Sequence, residues 1–367
     1  MTARERNLGY MGRHTPASFA KETGAWKRIP LLRENEGRLP PNIIEVGDRR
    51  RVISAAKGLG LQHLTMLHDF MGAEEGMNAM GRVNVAIGAF ERSGKQMGIT
   101  LLETQMGCSA QEINMREVLS LTSSGNYTMP DGDRQDSACA SAIRVGTAGG
   151  IISPGKNPVL KIGDAVIADK SYGWVGAVLQ QELGPDYVGE IVRNAVSELC
   201  RQTNPGELSP GELKRFLRNM LPLPSIPSDK KVVAALLRAC DELAIVAYLG
   251  GNHSKDSLYV EADEGAIVAL RDQYGILSTE MESYGLKRLA ELFTKAGKHV
   301  RSGLISTVVG LVPGGSFAEP GSKEEERAKK TEDGILYAAA CALHDLAFTN
   351  DNWGRDYLKQ ITRATQS

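Results

Sequence analysis

Three short stretches of this sequence carry residue types that could hold an anion and a sugar. Gly47-Asp48-Arg49-Arg50-Arg51 follows an apolar run and opens a helical pattern. A helix N-terminus offers free N–H groups and the positive end of its dipole. Gly47 lets the backbone approach a ligand, and an arginine in the first turn adds a two-pronged cation suited to phosphate. An ordinary surface turn carries the same residues, so both readings stand. Ile143-Arg144-Val145-Gly146-Thr147 sets an arginine inside an apolar strand, where its charge must be paired. The partner is either an internal carboxylate or a ligand. Thr147 and Gly149-Gly150 fall at the strand's C-terminal end, where open α/β sheets place ligands. Thr279-Glu280-Met281-Glu282-Ser283 puts two carboxylates at the start of an apolar helical pattern. Acidic residues there can cap the helix. One of the two must point inward, where it needs donors such as sugar hydroxyls.

An alternating scaffold has to position these groups. Strand patterns fall at 42–46, 83–90, 98–104, 142–150, 164–169, 243–250 and 300–309. Helical spacing follows Gly47 through Arg51, Val52, Ala55 and Ala56, and returns from Gly107 to Leu121, over 266–274, from Thr279 onward and over 323–348. Residues 185–243 hold two or three helical patterns between Pro-rich turns, and 122–138 reads as a loop. Residues 1–40 are polar and rich in Arg and Pro, an arm and not a core element; 63–82 is Met- and Gly-rich without a clear period. Strands that alternate with helices predict an α/β fold with a largely buried sheet.

Composition bounds the function. Lys and Arg total 43 and Asp and Glu 44 in 367 residues, which argues against a broad nucleic-acid or anionic-membrane surface. An anion site must therefore come from a few local basic residues. Five cysteines, Cys108, Cys139, Cys200, Cys240 and Cys341, are odd in number and include no CxxC, which suits a reducing compartment and no thiolate metal site. No apolar run reaches the ~18 residues of a membrane span, and residues 1–14 lack the apolar core of a signal peptide. A cytoplasmic protein with no metal is the expectation. His63 and His68 have no second ligand at helical or hairpin spacing, and Cys108 reads as a small core residue before a nucleophile.

In order, the GDxxR turn, the Gly107-Cys108-Ser109 helix opening, R-V-G-T and E-M-E resemble the nucleoside phosphorylase family, which includes uridine phosphorylase and the bacterial-type purine nucleoside phosphorylases. The resemblance implies a single three-layer α/β/α domain with a central mixed sheet over 41–350, with the 185–243 insertion, an arm at 1–40 and a tail at 351–367. It implies phosphorolysis of a nucleoside to free base and ribose 1-phosphate, with inorganic phosphate as co-substrate and no cofactor. Gly47, Arg51, Arg144 and Thr147 would hold phosphate. Arg82, or else His68, would be the further phosphate ligand given across a dimer interface. Glu280, Met281 and Glu282 would bind ribose, and Arg144 and Glu282 would be the catalytic pair. Gly149, Leu258 and Tyr259 would stand beside the base. A homodimer with its active site near the interface is implied.

The base-reading half departs from both subgroups. After Asp256-Ser257-Leu258-Tyr259 the chain reads Val260-Glu261-Ala262, without the G-Q-x-R by which uridine phosphorylases read uracil. Where the purine enzymes have an acid, it reads Ser306-Thr307-Val308-Val309-Gly310. The missing purine acid places uridine slightly ahead. A purine phosphorylase, a nucleosidase using water, and a non-catalytic nucleoside-binding protein are the alternatives.

Overall fold

The computed structural model describes residues 15–67, 83–122, 125–129, 134–137, 139–173, 225–255, 264–314 and 316–348. In chain order the elements are α1 (Pro16–Thr23), α2 (Pro30–Arg33), β1 (Asn42–Val46), α3 (Arg49–Gly58), β2 (Gln62–Met66), β3 (Val85–Arg92) and β4 (Lys95–Glu103). Then come α4 (Cys108–Leu121), β5 (Gly125–Thr128), β6 (Arg134–Ser137), β7 (Ala140–Ile151), β8 (Ala165–Tyr172), β9 (Ser225–Pro227) and α5 (Lys230–Glu242). The chain continues through β10 (Ala247–Ser254), α6 (Glu264–Tyr274), β11 (Ile276–Glu280), α7 (Ser283–Lys295), β12 (Val300–Val312), β13 (Ser316–Phe317) and α8 (Lys323–Phe348).

One mixed sheet runs β13-β12-β8-β10-β11-β7-β1-β4-β3-β2, with β9 beside β8. β12 also pairs with β7 in parallel, so β7, β11, β10, β8 and β12 close on themselves. β1 lies between β4 and β7, parallel to both, and aligns Glu45 with Leu102 on one side and Arg144 on the other.

The pleat of β1 divides the core. Successive strand residues face opposite sides, and every residue of β1 is buried. Ile44 and Val46 pack with α3, α5 and α8 through Val52, Leu236 and Ala339. Ile43 packs on the other side with α1, α4 and α7 through Ala17, Met115 and Leu286. Helices therefore cover both faces in the three-layer arrangement that the family resemblance implies. Glu45 shares the face of Ile43, and Arg144 that of Ala142, so both charged residues point to the α4/α7 side.

Several expectations change. Residues 15–40 are not an arm: Ile29, Leu31 and Leu32, which bracket Pro30, are buried in the α4/α7 layer. Residues 122–138 are no simple loop, since β5 and β6 pair as a hairpin and Tyr127 on β5 is fully buried. Within the 185–243 insertion, residues 185–224 lie outside the described part. Its end, α5, is part of the fold, with Val232 and Leu236 against Gly303 of β12. Residues 62–66 form an edge strand. Gly149 and Gly150 are not a turn but the interior of β7. Methyl groups added there would meet Val312 at 3.1 Å and Val308 at 2.8 Å. Glu280 of the E-M-E segment ends a buried strand, β11, and Met281 and Glu282 form the bend before α7, which starts only at Ser283.

Candidate active site

Arg144 stands in β7 with 6% of its side chain exposed. Such a cation needs partners on every side, and the separate motifs supply them. Its Nη1 donates to Thr104 Oγ1 at 2.6 Å, and its Nη2 lies 3.1 Å from Glu282 Oε2. A methyl group at Gly47 would sit 3.5 Å from Nη2, and one at Gly146 would sit 3.5 Å from Nε. The turn after β1, the R-V-G-T strand and the E-M-E segment thus converge on one guanidinium. Both readings of the arginine meet here: an internal carboxylate pairs it, and that carboxylate is one of the residues expected at the ligand.

Glu280 and Glu282 are divided in role by the strand-to-helix junction. Glu280 ends β11. Its Oε2 accepts from the backbone N–H of Glu282 and of Ser283, both at 2.8 Å. Its Oε1 accepts from Asn252 Nδ2, Ser254 Oγ and Ser283 Oγ at 2.6, 2.6 and 2.9 Å. Both oxygens are engaged in tying the start of α7 to β10, as in the capping alternative. Glu282 faces the other way. Its Oε1 accepts from the N–H of Gly107 at 2.9 Å and its Oε2 from that of Met281 at 3.3 Å. Gly107 has φ 87°, the left-handed region that glycine enters freely, and this aims its N–H at the carboxylate. Burial raises the Glu282 pKa, with Arg144 opposing the shift and Glu280 adding to it.

Glu45 is a site residue that the motif reading missed. It is fully buried, its Oε2 accepts from Gln111 Nε2 at 2.6 Å, and its Oε1 has no partner among the described residues. Burial pushes its pKa up to about 7; Arg144 and Gln111 pull it down, and Glu282 and Glu280 push it up. A glutamate inside the apolar run N-I-I-E-V was the available signal, unread because no motif contained it. Asn252 and Ser254 were missed similarly; they alternate along β10, so both reach Glu280.

Other expected residues are placed as follows. Thr147 is half-buried in β7, opposite Thr307 of β12. Met281 is half-buried, and its carbonyl accepts from Cys108 Sγ at 3.2 Å, so Cys108 sits as a buried helix-opening residue. Arg51 is not brought to Arg144's partners: its guanidinium lies 3.4 Å from Asp48 and 3.2 Å from Glu332 of α8. Arg82, His68, Leu258 and Tyr259 lie outside the described residues. The Ser306–Gly310 stretch is strand interior, and the Ser306, Thr307 and Thr279 hydroxyls are buried without a partner among the described residues. Ser306 pairs with Gly146 and Thr307 with Thr147, so unspent hydroxyls flank the R-V-G-T strand. His253, aligned with Thr279, is held neutral, its pKa pushed down to about 4 by burial. Among the described residues no group of His, Cys, Asp and Glu is placed to hold a metal ion, and no helix is long and apolar enough to cross a membrane.

A family model described as "Phosphorylase superfamily" matches residues 62–331, a span that holds Arg144, Thr147 and the E-M-E segment but begins after Gly47 and Arg51. No curated protein matches the chain.

Proposed function

The chain belongs to the phosphorylase superfamily, and from that premise we propose that it cleaves the N-glycosidic bond of a nucleoside with inorganic phosphate, giving free base and ribose 1-phosphate in nucleoside salvage. The observation that carries this reading is the convergence of three sequence motifs on the Arg144 guanidinium, with the Glu282 carboxylate 3.1 Å away.

Phosphate docks on Arg144, beside Gly47 and Thr147, and takes the place of Glu282 on Nη2. Glu282 keeps its bond to Gly107 and turns its Oε2 to the ribose 2′- and 3′-hydroxyls. Breaking the glycosidic bond builds positive charge on the sugar, as in glycoside hydrolysis. The bound phosphate is nucleophile and counter-charge together, fixed in place by the arginine. Atoms balance without a cofactor: the C1′–N bond breaks, the C1′–O bond to phosphate forms, and the base leaves with the electron pair and takes a proton. Arg51 joins the phosphate by leaving Glu332. The family resemblance would set Gly149, Leu258 and Tyr259 beside the base and draw Arg82 or His68 from the partner of a cytoplasmic homodimer.

Uridine is the preferred substrate, supported by the lack of an acid in the Ser306–Gly310 stretch where purine enzymes protonate the base. Phosphorolysis of uridine, thymidine, inosine and adenosine, each with and without phosphate, tests both halves. Uracil release that depends on phosphate is expected. Hypoxanthine without uracil would reverse the base preference, and turnover without phosphate would make the enzyme a nucleosidase.

A further inference from the structure

Arg144 is shared among more carboxylates than one cation can serve. Glu282 pairs with it directly. Glu280, one turn of backbone away, has both oxygens bound to protein donors. Glu45 aligns with it across the β1–β7 ladder on the same face of the sheet. Each strand neighbour of Glu45 is accounted for: Leu102 on β4 is apolar, and Arg144 on β7 carries the charge. From α4 only Gln111 reaches Glu45, with a single N–H on Oε2. From the β11–α7 junction Glu280 and Glu282 add negative charge. Oε1 is buried and has no donor among the described residues. An ionised carboxylate left in that state is expensive; one proton neutralises it and gives Oε1 an O–H.

We propose that Glu45 is a positioning residue of the anion half of the site, which steadies Arg144 from behind and takes up a proton when an oxyanion docks on the guanidinium. This rests on the assignment of Arg144 to phosphate. The charge argument is direct. Arg144 stands against Glu282 and lends part of its field to Glu45. A dianion on the same guanidinium takes over that field and adds its own repulsion at short range. The Glu45 carboxylate then binds a proton drawn from solvent, forming an O–H bond on the carboxyl group, as the anion takes the place of Glu282 on Nη2. Burial pushes the Glu45 pKa up to about 7 against the pull of Arg144 and Gln111, which puts this exchange in the neutral range, so anion affinity should fall as pH rises.

Sulfate separates this titration from that of phosphate, because sulfate stays a dianion throughout. Calorimetric titration of sulfate into the full chain, in buffers of different ionisation enthalpy, reads the protons exchanged. Roughly half a proton taken up per sulfate at pH 7, with affinity falling about tenfold from pH 6.5 to 8.5, is expected from linkage. Glu45→Gln should take up none and vary less than about twofold over that range. Uptake unchanged in Glu45→Gln would assign the proton to Glu282 and overturn the proposal, as would sulfate binding to the wild-type chain without uptake. Gln111→Leu is the second variant. It removes the N–H that favours the ionised Glu45, so the midpoint of the affinity change should move to higher pH; an unmoved midpoint also overturns the proposal. If sulfate does not bind the wild-type chain at all while phosphate-independent turnover is found, the phosphate assignment itself has failed, and the role of Glu45 with it.

Discussion

The two faces of the sheet are built from different materials. Against α3, α5 and α8 the core is apolar and rich in alanine: Ala338, Ala339, Ala340 and Ala342 of α8 pack near Ala235 and Leu236 of α5. Its charged groups, Arg92, Glu242 and Asp345, pair at the rim. Against α4 and α7 the sheet instead buries Glu45, Gln111, Arg144, Glu280, Glu282 and Lys287. Apolar packing stabilises without further conditions, whereas buried charge is tolerated only when paired. The first face thus supplies stability that offsets the cost of the charge buried in the second.

Four substitutions would break or sharpen that contrast. The largest effect is expected on the polar face: Arg144→Ala should lower phosphate-dependent turnover about a thousandfold, in the range seen when one fixed transition-state donor is lost. Steady-state kinetics with varied phosphate measures it, and unchanged activity would sink the site assignment. On the apolar face, Leu236→Ala should lower stability by about 2–5 kcal/mol while the folded fraction keeps its kcat. Denaturant unfolding beside an activity assay tests the separation, and a loss of kcat without loss of stability would contradict it.

Lys287 sharpens the comparison from within the polar face. Its ammonium is buried without a hydrogen-bond partner among the described residues, and burial pulls its pKa down to about 7, with Glu280 and Asp169 opposing. Between that value and the ordinary lysine pKa the unfolded chain holds a proton that the folded chain lacks. Stability therefore rises with pH from about 7 toward about 10. Lys287→Met should remove that rise and stabilise the protein at neutral pH by about 1–3 kcal/mol; urea unfolding at pH 7 and pH 9.5 checks both. The smallest effect is expected for Ser283→Ala. It deletes a hydroxyl that donates to Glu280 at 2.9 Å and should cost about 1 kcal/mol. Thermal unfolding would show it, and a larger loss would mean that the α7 start depends on that hydroxyl more than on the backbone donors.

Legibility followed the range of the interactions. The apolar runs gave β1, β3, β4, β7, β8 and β12 within a few residues, because strand burial repeats locally. β11 was hidden, since Ile276–Glu280 is short and runs straight into the E-M-E junction. The core role of Ile29, Leu31 and Leu32 was hidden too: local polarity described their neighbours, and only the α4/α7 layer explains their burial. In the site, Arg144 and Glu282 stood out by residue type, but Glu45 did not. Its importance depends on Arg144 and Gln111, which lie far away in the chain.

By itself the sequence determined the alternation of strand and helix, the glycine- and arginine-bearing turn after β1, and the presence of a buried arginine and two carboxylates in need of partners. Periodicity and residue chemistry act over a few neighbours, and a single chain states them openly. Tertiary structure alone decided which carboxylate does what. The end of β11 turns Glu280 onto the backbone of α7 and Glu282 onto Arg144, and the β1–β7 ladder sets Glu45 beside the same cation. Charge in a low-dielectric interior is governed by distance and desolvation, and both are fixed only once strands distant in the chain are paired.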